Sequence, residues 1–260
     1  MKLYYKDEYN TITLGDSLKV MQKMAEQNLV FDMILADLPY GTTSNKWDSV
    51  LDLDIMWTLY EKLLQENGAI VLNASQPFSS KLIVSNMDHC KENNSKLLFR
   101  HEWIWIKNRG SNFANTVREP MKEHESLLMF SRGKWIYNKQ MQERTGAGLA
   151  RTEYNVKFES KSENYREFEG RAKNKLPKLR VPSSWQKFNT EVGLHPTQKP
   201  VALMEYMIKT YTNEGNIVLD NTCGSGTTLV AAKNLNRQCY GIDNEEKYCE
   251  ISKNRLLENQ

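Results

Sequence analysis

Short apolar segments alternate along the chain with segments of helical spacing, and this alternation constrains the fold more than any other feature. Three apolar segments, at 33–35, 69–72 and 217–219, contain no polar residue, which is typical of parallel strands covered on both faces. Strands that alternate with helices in this way predict an α/β protein with a doubly wound, mostly parallel sheet. The predicted strands are 11–14, 31–37, 69–74, 98–107, 125–131, 216–220 and 238–243, and the predicted helices are 17–26, 52–66, 78–87, 200–212, 227–236 and 245–258.

The segment 132–190 departs from this pattern in both periodicity and charge. Residues 132–187 contain 14 Lys/Arg and 6 Asp/Glu, a local charge of +8, whereas the remaining residues carry a charge of −5. Clustered positive charge binds polyanions by releasing phosphate counterions. We therefore interpret 132–190 as a polyanion-facing insertion, rather than a solvated insertion without a function. It separates a first part (1–131) and a last part (191–260) of one domain.

The composition excludes several classes of protein. With 260 residues, of which 40% are hydrophobic and 26% charged, the chain has enough apolar material for a packed core, unlike a disordered protein. No apolar segment approaches the roughly 18 to 20 residues that cross a bilayer, and charges interrupt the first ten residues, where a signal peptide would be apolar. We therefore expect a cytoplasmic protein without a membrane partner. The four cysteines form no CxxC pair, so reduced thiols are expected rather than a metal site or disulfides.

A turn that contains two glycines follows one of the apolar strands. The strand ends at Asp220, Gly224 and Gly226 follow, and Thr227 begins a helix; we call residues 220–227 the glycine turn. Glycines at such a position let a ligand approach the backbone closely, with the amide groups of the helix start facing it. In open α/β sheets, ligands bind at the carboxyl ends of strands, where this turn is predicted to lie.

The next predicted strand ends at Asp243, 17 positions after Gly226. A carboxylate at about this spacing can accept hydrogen bonds from the hydroxyl groups of a ribose, so the pattern favours a nucleoside cofactor. The pattern alone does not distinguish a nicotinamide dinucleotide from S-adenosylmethionine. Leu229 occupies the position of the third glycine of the dinucleotide pattern, which argues against the dinucleotide.

A second turn, which we call the proline turn (37–40), follows the predicted strand 31–37. Pro39 has no amide hydrogen, so strand pairing must end there. The turn presents the Asp37 carboxylate, the Leu38 carbonyl and the ring of Tyr40 together. The alternative interpretation is an ordinary strand-ending turn with a surface tyrosine.

The two turns together suggest methylation of an amino group. The amino nitrogen of a nucleobase is a poor nucleophile, because its lone pair is delocalised into the ring. The Asp37 carboxylate and the Leu38 carbonyl could each accept one N–H hydrogen, which would direct the lone pair at a methyl sulfonium while Asp37 stabilises the developing charge. Tyr40 would stack on the base. A base in a duplex must be flipped out to reach such a pocket.

At this point the residues resemble a known family, the DNA amino-methyltransferases. Residues 37–40 resemble the (D/N/S)PPY catalytic motif, 220–227 the cofactor motif, 195–200 the motif upstream of it, and 14–17 a short acidic motif. Their order is similar to that of the β group, a circular permutation of the Rossmann-like methyltransferase fold. In that group a variable target-recognition region, here the basic insertion, separates the catalytic and cofactor motifs.

The resemblance implies a role for each matching position. Asp243 would hold the ribose of S-adenosylmethionine and Asp16 its adenine amino group, while Thr197 and Lys199 would meet the methionine carboxylate, with His195 close by. The implied catalytic residues are Asp37, Leu38, Pro39 and Tyr40, and the implied cofactor-binding residues are Asp16, His195, Thr197, Lys199, Asp220, Cys223, Gly224, Gly226, Thr227 and Asp243.

Two positions depart from the family pattern. Leu38 replaces the first proline of the usual pair, which should leave its carbonyl available, and Thr222 stands where many members have phenylalanine. In the family that the sequence resembles, Asp at the head of the catalytic motif is typical of adenine enzymes, so the resemblance implies adenine as the target of Asp37.

The expected function is methylation of adenine N6 in double-stranded DNA. The alternatives are the same chemistry on cytosine N4 or on RNA, a nicotinamide-dependent oxidoreductase, and a DNA-binding protein without catalysis. The resemblance leaves open a homodimer and a cognate restriction endonuclease as partners. The recognition sequence is not predicted, because base readout depends on the geometry of side chains.

Overall fold

The computed structural model of the protein describes residues 2–41, 50–146, 149, 178–191, 193 and 198–258. Its strands are β1 (Lys2–Lys6), β2 (Asn10–Leu14), β3 (Phe31–Asp37), β4 (Leu64–Ala74), β5 (Leu98–Ser111), β6 (Lys122–Ser131), β7 (Gln142–Glu143), β8 (Leu179–Arg180), β9 (Trp185–Lys187), β10 (Ile217–Asp220) and β11 (Gln238–Asp243). Its helices are α1 (Ser17–Glu26), α2 (Leu53–Leu63), α3 (Phe78–Asn93), α4 (Val201–Tyr211), α5 (Thr227–Asn234) and α6 (Glu246–Glu258), with a 3-10 helix at Phe113–Asn115.

Nine of these strands form one sheet in the order β1-β2-β11-β10-β3-β4-β6-β5-β9. The five strands from β2 to β4 in this order are parallel neighbours, whereas β1 and β6 pair antiparallel to the strands beside them. The first and last parts of the chain therefore contribute strands to the same sheet. This arrangement confirms the predicted α/β fold with a mostly parallel sheet.

Helices cover both faces of the sheet, as continuously apolar strands require. On β3, Ile34 and Ala36 pack against α1, α2 and α3, whereas Met33 and Leu35 point to the opposite face and pack with α4, α5 and α6. All four of these side chains are buried. The sheet is thus doubly wound, and the parallel strands end at one shared edge.

The edge strands were not predicted from the sequence. β1 is largely exposed, and it pairs with β2 through a bulge. β9 contains three residues and adds to β5. Such strands lack the apolar run that makes central strands recognisable, because only one side or one face of each contacts the core.

The chain divides into two units, the larger made of Met1–Asn138 and Ser184–Gln260 and the smaller of Lys139–Ser183. In the smaller unit, β7 and β8 pair antiparallel, with Glu143 opposite Leu179. The rest of the basic segment, 147–148 and 150–177, lies outside the described residues.

Two further observations concern the described residues. All four cysteines are buried with free thiols. No helix in this part of the chain has both the length and the apolar character needed to span a bilayer.

Candidate active site

The two turns singled out in the sequence meet in the structure. β3 and β10 are parallel neighbours, with Val218 opposite Met33, so their carboxyl ends lie at the same edge of the sheet. The Thr222 hydroxyl donates a hydrogen bond of 3.1 Å to the backbone carbonyl of Asp37. The proline turn is therefore joined directly to the glycine turn.

A cavity of about 910 Å³ lies at this edge of the sheet, at the upper end of the volumes usual for small-molecule sites. Eleven of the fourteen predicted site residues line it: Asp16, Asp37, Leu38, Pro39, Tyr40, Lys199, Asp220, Cys223, Gly224, Thr227 and Asp243. Gly226 does not line it, and His195 and Thr197 lie outside the described residues.

In the proline turn, the Asp37 carboxylate accepts hydrogen bonds from two side chains. β3 ends at Asp37, as predicted from Pro39. The Tyr40 hydroxyl donates to Asp37 Oδ1 over 2.9 Å, and the Lys199 ammonium donates to Asp37 Oδ2 over 2.7 Å. The Tyr40 ring stacks on Phe78 with 5.1 Å between ring centroids. Both oxygens of the carboxylate thus have a partner within the protein.

Lys199 belongs to a buried cluster of alternating charges. Its ammonium also lies 3.2 Å from Glu125 Oε2, and Glu125 in turn contacts the Lys107 ammonium. Lys199 is 8% exposed. Neither Glu125 nor Lys107 was predicted as a site residue. The sequence predicted Lys199 to meet the methionine carboxylate, whereas the structure pairs it with Asp37 and Glu125.

The ionisation of this cluster is mutually dependent. Burial raises the pKa of Asp37, and the negative charge of Glu125 raises it further. Lys199 lowers this pKa, but the net shift is upward. For Glu125, burial is outweighed by Lys199 and Lys107, so its pKa is lowered. Burial alone would lower the pKa of Lys199, but Asp37 and Glu125 outweigh it and raise that pKa. Lys199 thus opposes the effect of burial on Asp37, and the two lysines together favour the charged form of Glu125.

The two glycines of the glycine turn serve different purposes. Both have positive φ, +49° at Gly224 and +77° at Gly226, a region that favours glycine. A Cβ on Gly224 would meet no atom within 4 Å, and this residue lines the cavity, so its backbone is open to a ligand. A Cβ on Gly226 would lie 2.7 Å from Ser252 Oγ. Gly226 is thus required by the packing of the turn on α6.

Leu229 stands at the position of the third glycine of the dinucleotide pattern, and it packs against a glycine on the neighbouring strand. Leu229 on α5 is buried, and a Cβ on Gly241 in β11 would lie only 2.9 Å from its Cδ1. In the dinucleotide pattern a glycine on the helix permits close packing of helix and strand. Here the glycine lies on the strand and the large residue on the helix.

Two aspartates, Asp220 at the end of β10 and Asp243 at the end of β11, lie next to the glycine turn; Asp220 is buried and Asp243 is partly buried. Asp243 accepts hydrogen bonds from the amides of Gly224 (2.9 Å, Oδ2) and Glu245 (2.8 Å, Oδ1), and burial raises its pKa to about 6. Asp220 accepts from the Thr222 amide over 3.1 Å, and burial raises its pKa to about 7. Each oxygen of a carboxylate has two lone pairs, so Asp243 retains acceptor capacity for ribose hydroxyls.

The remaining predicted residues form the wall of the cavity. Asp16 caps α1 by accepting from the Lys19 amide over 2.9 Å. Thr227 begins α5, and its hydroxyl accepts from Arg255 over 3.1 Å. Burial raises the pKa of the Cys223 thiol well above its usual range, so this cysteine is a neutral wall residue rather than a nucleophile.

Asn221 and Glu191 also line the cavity and were not predicted. Asn221 is buried; it accepts from the Tyr60 hydroxyl over 2.7 Å and donates to Ser17 over 2.9 Å, which ties the glycine turn to α1 and α2. Glu191 accepts from the Val201 amide over 2.9 Å and so caps α4 next to Lys199. Asn221 thus acts through neighbouring side chains, and Glu191 through a backbone amide.

The residues present fit a nucleoside cofactor with a positive charge. The open backbone at Gly224 permits close approach, and Asp243 offers acceptors to hydroxyl groups. When ionised, the carboxyl groups of Asp220 and Asp243 place negative charge on this side of the cavity. The fold and the site together define an α/β protein with a nucleoside-cofactor cleft at the carboxyl edge of its sheet.

Comparison with known proteins identifies the family. Residues 31–254 match the family model described as DNA methylase. Type II methyltransferase M.HpaI of Haemophilus parainfluenzae is 30% identical over 261 residues, which cover 93% of this chain and 72% of that protein. DNA adenine methyltransferase YhdJ of Escherichia coli is 26% identical over 268 residues, 97% of this chain and 84% of that protein. The crystal structure of the M1.HpyAVI-SAM complex has a TM-score of 0.62 and 24% identity, and covers 95% of this chain and 98% of that one.

The chain therefore belongs to the DNA methylase family. It is an enzyme that methylates DNA with S-adenosylmethionine as the methyl donor. This membership excludes the nicotinamide-dependent alternative. It confirms the predicted family and cofactor, whereas the roles predicted for individual residues stay predictions.

Proposed function

We propose that the protein transfers a methyl group to the N6 amino group of an adenine flipped out of double-stranded DNA. The observation that carries the proposal is the position of Asp37, a carboxylate at the tip of β3 in the same cavity as the glycine turn. Asp at the head of the proline turn is typical of adenine enzymes in the family that the sequence resembles. YhdJ, which is similar over 97% of this chain, is by name an adenine enzyme. Methylation of cytosine N4 is the alternative, because the same groups could hold either base.

The proline turn supplies the groups that activate the amino nitrogen. The Asp37 carboxylate and the Leu38 carbonyl would each accept one N–H hydrogen, which directs the nitrogen lone pair towards the glycine turn. When bound, S-adenosylmethionine supplies an electrophilic methyl group on a positively charged sulfur. Positive charge develops on the nitrogen during transfer, and Asp37 stabilises it in a partly water-free cavity. Holding both partners in line accounts for much of the remaining rate.

Asp37 is also placed to take up the proton that the methylated nitrogen must lose. Burial raises the pKa of this carboxyl group, with Lys199 opposing the effect. A carboxylate of raised pKa is a better proton acceptor than an exposed one. The Thr222 hydrogen bond to the Asp37 carbonyl fixes the turn while the side chain acts.

Lys199 must yield its position on Asp37 before a base can bind. Its ammonium donates to Asp37 Oδ2 over 2.7 Å, as the target amino group would. Glu125, 3.2 Å away, is an alternative partner that is already in contact. We infer that Lys199 moves to Glu125 when the base enters, which keeps the cation paired within the cavity. In that state it would also be available to the methionine carboxylate, as the sequence predicts.

The segment 132–190 is proposed to face the DNA. Its support is the local charge of +8 in residues 132–187, since positive charge lowers the free energy of binding to phosphates. A homodimer and a cognate restriction endonuclease stay predictions. M.HpaI, 30% identical to this chain, is by name a Type II methyltransferase, which favours a restriction partner.

Expression in a bacterial host without DNA methylation tests the proposal. Genomic DNA would be digested to nucleosides and separated by chromatography, and the modified sites mapped by sequencing. We expect N6-methyladenine in one sequence context, and none from cells that express the Asp37→Ala variant. N4-methylcytosine would replace the adenine proposal by its alternative. Unmodified DNA from cells that contain folded wild-type protein would contradict both.

A further inference from the structure

The hairpin between β5 and β6 carries exposed apolar side chains at its tip. We call residues 112–121 the hairpin tip. Phe113 is 68% exposed, Val117 92% and Met121 39%. Large apolar side chains that are grouped on a surface mark an interaction site more often than isolated ones do. The tip therefore presents apolar side chains to a possible binding partner.

Hydrogen bonds within the hairpin tip hold it in a defined shape. Phe113–Asn115 form a 3-10 helix, and the Thr116 hydroxyl donates to the Phe113 carbonyl over 2.8 Å. At its base, the Met121 side chain packs across the strand directly against Gly110, where a Cβ would lie only 2.2 Å from Met121 Cγ. The apolar side chains are thus presented by an ordered element.

The hairpin adjoins the active-site cavity. The pairing of β5 and β6 shifts between Ile106 and Ser111, a bulge of the kind that re-aims side chains next to active sites. Phe113 and Met121 line the 910 Å³ cavity, and a second cavity of about 150 Å³ is lined by Tyr40 as well as by Ser111. The apolar tip and the proline turn therefore border continuous space.

The charge around the tip is positive. Apart from Lys107, which is paired with Glu125 in the cavity, residues 108–123 contain three Lys/Arg and two Asp/Glu. One of the two acidic side chains, Glu119, accepts a hydrogen bond from Asn112 over 2.9 Å. Arg109, Arg118 and Lys122 are exposed. An apolar tip ringed by positive charge is complementary to a base stack bordered by phosphates.

We propose that the hairpin tip is a wedge that enters the base stack of duplex DNA beside the target base. Phe113 and Val117 fill the gap that the flipped base leaves, while Arg109 and Lys122 contact phosphates. Apolar side chains that enter a base step unstack it and stabilise a distorted duplex. Flipping a base costs less when the base is already unpaired. The wedge rests on the proposed function, because only an enzyme that flips its target needs it.

Single-turnover methyl transfer on two synthetic duplexes tests the wedge. Both carry the site mapped in the expression experiment, and the second has an abasic residue opposite the target base. The Phe113→Ala/Val117→Ala double variant should transfer methyl groups at least about tenfold more slowly to the intact duplex, equivalent to about 1.4 kcal/mol of activation free energy. On the abasic duplex the loss should stay below about threefold, because less work is needed to extrude the base.

The matched control is the Val84→Ala/Met87→Ala variant, which removes two apolar side chains of 55% and 60% exposure from α3; neither lines a cavity described above. It should match wild type on both duplexes. The wedge would be overturned if the Phe113→Ala/Val117→Ala variant lost the same rate of methyl transfer on both duplexes, or lost none on either. A change in its sedimentation without a change in the rate would overturn it as well. If wild-type protein methylates neither duplex, the proposed function fails and the wedge fails with it.

Discussion

The two turns that meet at the cavity are held in place by different interactions. The glycine turn is held mainly through the backbone: Asp243 accepts from two amides, and the Cys223 amide donates to the Ile242 carbonyl over 2.9 Å. The proline turn is held mainly by side-chain charges, because Lys199 bridges Asp37 and Glu125. Backbone hydrogen bonds keep their geometry whether or not a ligand is present, whereas an ion pair can exchange partners.

This difference matches the different demands on the two sides of the cavity. A cofactor site benefits from preorganisation, since rigid groups lose little entropy on binding. The target site must instead accept a base that arrives from a duplex, and it must do so without leaving a buried charge unpaired. Two carboxylates that share one lysine meet this condition, because the lysine keeps a partner throughout. Substitutions on the two sides should therefore affect different steps.

Replacing Asp37 should have the largest effect, and only on the target side. Asp37→Asn keeps the shape but presents an amide donor to the base amino group, so we expect methyl transfer to fall at least about a thousandfold. The affinity for S-adenosylmethionine, measured by calorimetry, should change by less than about threefold, because Asp37 is not part of the backbone-held turn. Asp88→Asn, at an exposed position of α3, is the matched control and should be unaffected. A large loss of cofactor affinity in Asp37→Asn would place this residue on the cofactor side.

Alanine substitutions at the two glycines should separate stability from cofactor binding. Gly226→Ala combines a positive φ with a Cβ only 2.7 Å from Ser252 Oγ, so we expect the free energy of unfolding to fall by about 2–4 kcal/mol. Gly224→Ala meets no atom within 4 Å and should cost about 1 kcal/mol. Because its methyl group projects into open space where the cofactor is proposed to bind, it should lower cofactor affinity more than stability. Denaturant unfolding and calorimetry on both variants measure the two quantities, and equal profiles would contradict the distinction.

The sequence predicts the parallel core and both turns because their signals are local. A mainly apolar strand that ends in an aspartate, followed by Pro39 in one case and by two glycines in the other, shows where the strand ends. The predicted bounds of β3 match the observed ones. The matching motifs also predict the family. Asp37, Tyr40, Asp220, Gly224 and Asp243 could thus be found without coordinates.

Glu125 and Lys107 could not be found in this way, because their position depends on non-local pairing. β6 runs antiparallel to β4, so the start of β6, not its end, lies at the ligand edge. Glu125 begins the predicted strand 125–131, but its approach to Lys199 depends on the pairing of β6 with both β4 and β5. The packing of Gly226 on Ser252 likewise depends on a helix more than 20 residues away. Topology rather than composition decides these contacts.

Replacing Glu125 tests whether Lys199 exchanges partners. In Glu125→Gln the ammonium loses its second carboxylate and should remain on Asp37, so the target amino group competes less well for that carboxylate. We expect kcat to fall about tenfold, with the KM for S-adenosylmethionine nearly unchanged. Glu102→Gln, at an exposed position of the neighbouring strand β5, is the control. A raised KM for the cofactor with an unchanged kcat would show that Lys199 acts on the methionine carboxylate instead.

The pH dependence of cofactor binding is the smallest effect and reports on the glycine-turn side alone. Burial raises the pKa of Asp220 to about 7 and that of Asp243 to about 6. The raised pKa values of these two carboxyl groups stabilise the folded, cofactor-free protein relative to the unfolded chain. This stabilisation is greatest below about pH 4 and is lost as the pH rises through about 7. The cofactor carries a net positive charge and favours the ionised carboxylates, so its binding should release protons and strengthen by roughly threefold from pH 6 to pH 8. Calorimetry in two buffers of different ionisation enthalpy measures the proton release, which Asp220→Asn should reduce. Affinity that is independent of pH would mean that both aspartates are already ionised in the free protein.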